Sequence, residues 1–365
     1  MKILHFIVSR HFAGSEQLAL TLALQQQAWG HETWMAGRGG GELSGIVAQS
    51  GLRNAQVKIS RFWPQWNLRR FVREVGVDIV HLHLTGAVKL APFFCQLGVP
   101  TVAHLHIHKD HPAYHKAVQS GHLISISQAT HRYYLEAGLP AERVHLIPNG
   151  SGAHLGPWRQ QPKEALQVEL RQELGLPLVG PLWLHAGRLS AAKGQDLSIE
   201  ALAKLASRWP DTRLLIAGAT NAYQQELEAL AQRWKVSDQV RFLGFRPDIQ
   251  RLMRAADLLL VPSRQEPFGL VVIEGMLLGT PVVTTGVGGI ADILREPGMA
   301  SVVCSGDAED MADTIAALQA DCARRQTIAT QAEKVALEYF SSEAMTRQVM
   351  QVYEQTLLEH HASKP

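Results

Sequence analysis

Two glutamates, Glu266 and Glu274, stand with seven residues between them in the stretch Asp257–Gly275, where the apolar run Leu258–Val261 leads through a polar turn into an apolar helical pattern. A strand, a loop and a helix in that order build binding sites. Pro267 suits the first turn of a helix, so the N–H groups around Phe268, Gly269 and Leu270 and the positive end of the helix dipole are placed to receive an anion such as a phosphate. Glu274 is the only charge between Leu270 and Leu278. A carboxylate on so apolar a helix is costly to bury without a donor, which points to a ligand hydroxyl or a backbone N–H as its partner. A second strand-to-helix loop, Ser9–Glu16, carries Gly14, where backbone can approach a phosphate closely. His104, His106 and His108 alternate along one strand pattern and share a face, with His111 and His115 close in sequence. A metal site is the chemistry to test there, but no carboxylate or cysteine is partnered with them, and no metal is expected.

The elements that must position these groups recur with a regular rhythm. Short Val/Ile/Leu-rich runs at Ile3–Val8, Glu32–Met35, Asp78–His83, Thr101–His106, His122–Ser127 and Val144–Pro148 alternate with helical patterns, as in βαβ units. Ser151–Pro181 is polar and proline-rich, and the rhythm then restarts at Leu182–His185, Leu214–Ala217, Val240–Leu243, Leu258–Val261, Pro281–Thr284 and Ser301–Val303. The expected fold is α/β: two Rossmann-like doubly wound domains, residues 1–160 and 161–340, with a helix and tail over 341–365. Such sheets bind ligands at the carboxyl ends of their strands.

Composition narrows the classes. The chain has 365 residues, 46% of them hydrophobic, enough for two cores. Lys+Arg of 35 against Asp+Glu of 33 gives a net charge of +2, which leaves no global field for nucleic acid. Three scattered cysteines, Cys95, Cys304 and Cys322, form neither a disulfide framework nor a zinc ribbon, and suit a reducing, cytoplasmic compartment. No apolar run reads as a signal peptide or a membrane span. An NAD-dependent oxidoreductase would need G-x-G-x-x-G after the first strand, whereas Gly37–Gly41 follow the second, and Lys193-Gly194 reverses the order of a phosphate-binding P-loop.

With these pieces in place the sequence resembles the GT-B glycosyltransferases of family 4. Glu266 and Glu274 match that family's E-x7-E spacing, and Gly187-Arg188-Leu189 with Lys193-Gly194 matches its G-R-L…K-G element. Asp78-Ile79-Val80-His81-Leu82-His83, Val144–Gly150, Phe242-Leu243-Gly244 and Gly288-Gly289 also align. Ala13-Gly14-Ser15-Glu16 matches G-G-x-E with its first glycine replaced. Departures are Ser151–His154, where the family often has an aspartate, and Asp292, where it has a glutamate.

The resemblance implies a retaining transfer from a nucleotide-sugar donor to a glycan or glycolipid acceptor, in cell-envelope glycan synthesis such as lipopolysaccharide, capsule or exopolysaccharide. It implies catalytic roles for His106, Arg188, Lys193 and Glu266, and donor binding by Gly14, Gly187, Phe268, Gly269, Leu270 and Glu274. Arg188 and Lys193 would neutralise the departing diphosphate where other transferases use a metal. No D-x-D motif occurs, so no cofactor is expected. His106 would contact the donor sugar, with His104 the alternative, and His83 would line the acceptor cleft. Transfer would take place between domains facing a cleft, the last helix crossing back to the first. Attack on the leaving-group face is the expected route, and double displacement through Glu266 the alternative. A GT-B-like epimerase or hydrolase and a non-catalytic glycan-binding relative are the competing functions. Finally, Arg61–Arg73 interleaves aromatics with cations in a way that suits contact with the anionic inner face of the cytoplasmic membrane.

Overall fold

The computed structural model describes residues 1–9, 14–37, 41–53, 64–106, 111–152 and 155–362, without the side chains of Pro64 and Gln65. By its contacts the chain divides into two units, Met1–Ala153 with Tyr339–Pro365, and His154–Glu338.

The first unit is a parallel sheet of six strands: β1 (Lys2–Ile7), β2 (Glu32–Gly37), β3 (Ile79–His83), β4 (Thr101–Leu105), β5 (Gly121–Ser125) and β6 (Val144–Leu146), in the order β2-β1-β3-β4-β5-β6. Helices cover both faces, and accordingly every residue of β3, β4 and β5 is buried rather than every other one. One face packs Leu4, Phe6, Val80, Leu82, Ala103 and Leu123 against the helices around Phe94 and Tyr114. The other packs Ile3, Ile79, Val102 and Ile124 against helix Gly14–Ala28 and against Met345, Val349 and Tyr353 of the C-terminal helix Ser342–Ala362. The last helix therefore belongs to the first unit. The chain enters it where Ser151 bridges Ser341, beside Gly150, at which a Cβ would lie 2.4 Å from the Ser341 carbonyl oxygen.

The second unit holds β7 (Leu182–Ala186), β8 (Arg213–Ala217), β9 (Val240–Gly244), β10 (Leu258–Val261), β11 (Val282–Thr285) and β12 (Ser301–Val303), in the order β12-β11-β10-β7-β8-β9, again all parallel. Trp183, Leu214, Ile216, Leu258, Leu260 and Val283 form its core with helices Gln195–Leu205 and Ala308–Ala320. Helix Lys163–Leu174 lies within the polar, proline-rich stretch Ser151–Pro181, and it packs in this unit, where Gln167 donates to the Ala255 carbonyl and to Asp257.

Each strand order has one point where the winding reverses, and crevices at such points take ligands. In the second unit that point lies between β7 and β10, from whose carboxyl ends the Gly187–Lys193 and Pro262–Gly269 loops emerge.

Candidate active site

The two loops at the β7/β10 reversal are stitched together. The backbone N–H groups of Arg264 and Gln265 both donate to the Ala192 carbonyl, at 2.8 and 3.2 Å. The Arg264 guanidinium forks onto Asp196 at 2.8 and 2.7 Å and also reaches the Ala191 carbonyl. Gly194 sits at φ +75°, and a Cβ there would lie 2.2 Å from the Pro262 carbonyl oxygen, so only glycine lets the loops pass this closely.

On this base Lys193 Nζ donates to Glu266 Oε2 at 2.5 Å. The Glu266 side chain is only 9% exposed and that of Lys193 23%. Glu266 is also held by its backbone, whose carbonyl accepts from the Gly289 N–H at 3.0 Å. Arg188 is exposed at the mouth of the same loop, and its backbone carbonyl accepts from Gln195 at 3.0 Å. Its guanidinium forms no ion pair among the described residues. Behind the loop His185 is buried against the Ser198 hydroxyl at 2.9 Å, its pKa lowered to about 3 by burial and by the nearby Lys193 charge. A neutral ring there adds no repulsion to the cations in front of it.

The helix after β10 starts later than the sequence suggests. It runs Leu270–Leu277, with Gly269 before it at φ +105°, so Pro267 lies outside the first turn. The reason is the left-handed glycine, a conformation proline cannot adopt and one that turns the chain after Phe268. At its N-terminus, Gly269 makes no side-chain cap. Glu274 is buried at 7% exposure in the following turn. Arg188, Lys193, Glu266, Phe268, Gly269, Leu270, Glu274 and Gly187 thus gather at one end of one sheet. Asp196 was not anticipated; its signal was its place in the first turn after Lys193, one turn from the loop that Arg264 enters.

In the first unit Gly14 opens helix Gly14–Ala28, after a stretch that includes Ala13 and lies outside the described residues. His106 follows the last residue of β4 and is 8% exposed. His83 is fully buried, not lining a surface, because it points into the sheet face covered by helix Gly14–Ala28 and the C-terminal helix. His108 lies outside the described residues. His111 is occupied as a helix cap, its Nδ1 accepting from the Ala113 N–H at 3.0 Å. Arg61–Trp63 are likewise outside, but helix Pro64–Val75 buries Leu68 and Val72 and exposes Trp66, Arg69, Arg70 and Arg73 on its opposite face.

Two parallel-sheet units of this kind, the second with cations and carboxylates collected at its reversal point, are the architecture of a GT-B glycosyltransferase. The sequence profile of "Glycosyl transferases group 1" matches residues 167–335 and that of "Glycosyltransferase Family 4" residues 12–151. The alpha-D-kanosaminyltransferase of Streptomyces kanamyceticus is 30% identical over 337 residues, 85% of each chain. A D-inositol 3-phosphate glycosyltransferase of Xylanimonas cellulosilytica is 33% identical over 226 residues, 60% of this chain and 52% of that one. Among solved structures, Anabaena HepE in complex with UDP and glucose superposes with a TM-score of 0.84 at 26% identity, over 97% of this chain and 100% of that chain. The chain belongs to glycosyltransferase family 4, and it is a glycosyltransferase.

Proposed function

We propose that the chain moves a sugar from a nucleoside-diphosphate donor to an acceptor hydroxyl with retention of anomeric configuration and without a metal. The observation that carries this is the Lys193–Glu266 pair between the two stitched loops, with the Arg188 guanidinium exposed beside it. A diphosphate needs cations on the oxygens where charge accumulates as it leaves, and Arg188 and Lys193 supply them. Lys193 is held in place by Glu266 until a phosphate competes for it. Glu266 is then free to accept hydrogen bonds from the donor sugar's hydroxyls. The N–H groups at Phe268–Leu270 take sugar and phosphate oxygens, and Glu274 takes the ribose diol. Gly187 lets backbone approach the donor on the β7 side, and Gly14 and His106 act from the first unit, His106 on the donor sugar. Attack on the leaving-group face accounts for retention with these groups alone. Because HepE is described in complex with UDP-glucose, UDP-glucose is the first donor to try. Thermal stabilisation by nucleotide sugars tests the reading.

A glycan or glycolipid acceptor of the cell envelope is favoured by the exposed Trp66/Arg69/Arg70/Arg73 face, which suits an anionic membrane surface at the cytoplasmic side. No helix among the described residues is long and apolar enough to cross a membrane. Flotation with vesicles containing anionic lipid should carry the wild-type protein and leave Arg69→Gln/Arg70→Gln/Arg73→Gln behind. Equal, negligible flotation of both removes the membrane from the account.

A further inference from the structure

Five buried histidines of the first unit, which the proposed transfer does not require as a group, lie together: His5 on β1, His81 and His83 on β3, and His104 and His106 at the end of β4. On the sheet face under helix Gly14–Ala28 and the C-terminal helix, three strands place an aliphatic residue first (Ile3, Ile79, Val102) and histidines towards their carboxyl ends. The rings stack, with centroids 4.2 Å apart for His81 and His83 and 4.8 Å for His104 and His106.

Hydrogen bonds determine where the lone pairs are. Gln26 Oε1 accepts from His5 Nε2 at 2.7 Å, so the neutral ring's Nδ1 is an acceptor. It receives the proton of His83 Nε2 at 3.1 Å, which leaves His83 Nδ1 bare. Tyr353 Oη lies 2.5 Å from His81 Nδ1, and His81 Nε2 lies 3.2 Å from His104 Nδ1. With the protons of this chain directed towards Tyr353, His104 Nε2 is bare as well. His83 Nδ1, His104 Nε2 and His106 Nε2 are all buried without a hydrogen-bond partner. Each of the three residues offers a ring nitrogen within 4.8 Å of the others'.

We propose that His83, His104 and His106 form a binding site for a divalent transition-metal ion of the zinc class. Three neutral imidazoles select zinc, cobalt, nickel or copper over magnesium and calcium, which require oxygen ligands. A tetrahedral ion would draw the three nitrogens to about 3.3 Å from one another and keep a fourth position open. Asn149 is the side chain next to His104, and its Oδ1 is buried as well. The competing arrangement turns His104 Nε2–H towards Asn149 and takes up no metal. Strand alternation alone groups His104 and His106 with His108, which lies outside the described residues; pairing of β3 with β4 brings His83 beside His104.

Full-length protein stripped with a chelator and titrated with Co2+ at pH 7.5 should develop the visible bands of a tetrahedral site at one equivalent. His106→Asn, at the edge of the stack, and His83→Gln should each weaken uptake at least tenfold, while His145→Asn, a half-buried histidine paired instead with His122 at 2.8 Å, should not. Far-UV circular dichroism checks that each variant is folded, and His106→Asn decides if His83→Gln is not. Absence of a stoichiometric tetrahedral spectrum, or its survival in His106→Asn, overturns the proposal. Zinc at one equivalent should also inhibit transfer by withdrawing His106; that consequence rests on the function proposed above, whereas the cobalt spectrum does not.

Discussion

Arg188→Ala should lower kcat/KM with a nucleotide-sugar donor by about 10²–10³-fold, the usual effect of removing one preorganised group from a developing negative charge. Lys193→Ala should do the same, and Glu274→Ala should add a loss of donor affinity because the ribose diol loses its acceptor. Arg188 makes the cleanest test. It is exposed and its guanidinium pairs with nothing among the described residues, so its loss should alter stability by less than about 0.5 kcal/mol. Lys193→Ala instead strands Glu266, whose side chain is 9% exposed, and the Lys193→Ala/Glu266→Gln double variant separates that penalty from catalysis. Steady-state kinetics with folded variants provide the comparison. Rates near wild type in Arg188→Ala, Lys193→Ala and Glu274→Ala together would remove the donor assignment.

Acid should unfold the first unit before the second. His5 and His106 are held at about 4 by burial, and His81, His83 and His104 well below 6.5 by burial and by one another. Their folded pKa values lie below the unfolded ones, so the stability they contribute is complete above about pH 6.5 and is lost as pH falls towards 4. In that window the unfolded chain binds protons that the folded stack refuses, at roughly 1.4 kcal/mol per pH unit for each such histidine. The second unit has His185 in this condition, while its Asp248, held at about 2 by hydrogen bonds from Arg246 and Arg251, keeps its contribution to much lower pH. Hydrogen exchange read by mass spectrometry from pH 7 to 4 should show β1, β3 and β4 deprotecting while β7, β8 and β10 remain protected. Full protection of β3 and β4 at pH 4 would contradict the neutral stack.

The strands were legible because a parallel sheet covered on both faces requires continuous apolar runs, and Leu258–Val261 carries that pattern to its boundaries. The histidine-bearing strands were read one or two residues too long, since His106 and Ile126 continue the pattern after the ladder hydrogen bonds end. Local chemistry exposed Glu266 and Glu274 as candidates, one in a strand-to-helix loop and the other breaking an apolar run, whereas Arg188 and Lys193 came from the resemblance to the family's G-R-L…K-G element. What escaped depends on neighbours distant in sequence. Asp196 meets Arg264 only once β7 and β10 are adjacent, and Gly194 is required only because Pro262 passes beside it. The histidine stack escaped in part for the same reason: alternation groups His104 with His106, and only strand order brings His5, His81 and His83 beside them.

The central claim is that the loops after β7 and β10 hold a nucleoside diphosphate sugar. Thermal unfolding of the wild-type protein with a panel of nucleotide sugars and nucleoside diphosphates, beginning with UDP-glucose and UDP, tests it most directly. A donor at about 100 times its Kd should stabilise the second unit by about 2.7 kcal/mol, a rise in Tm of roughly 5–10 °C, and Glu274→Ala should abolish most of it. No shift with any member of the panel would contradict the account.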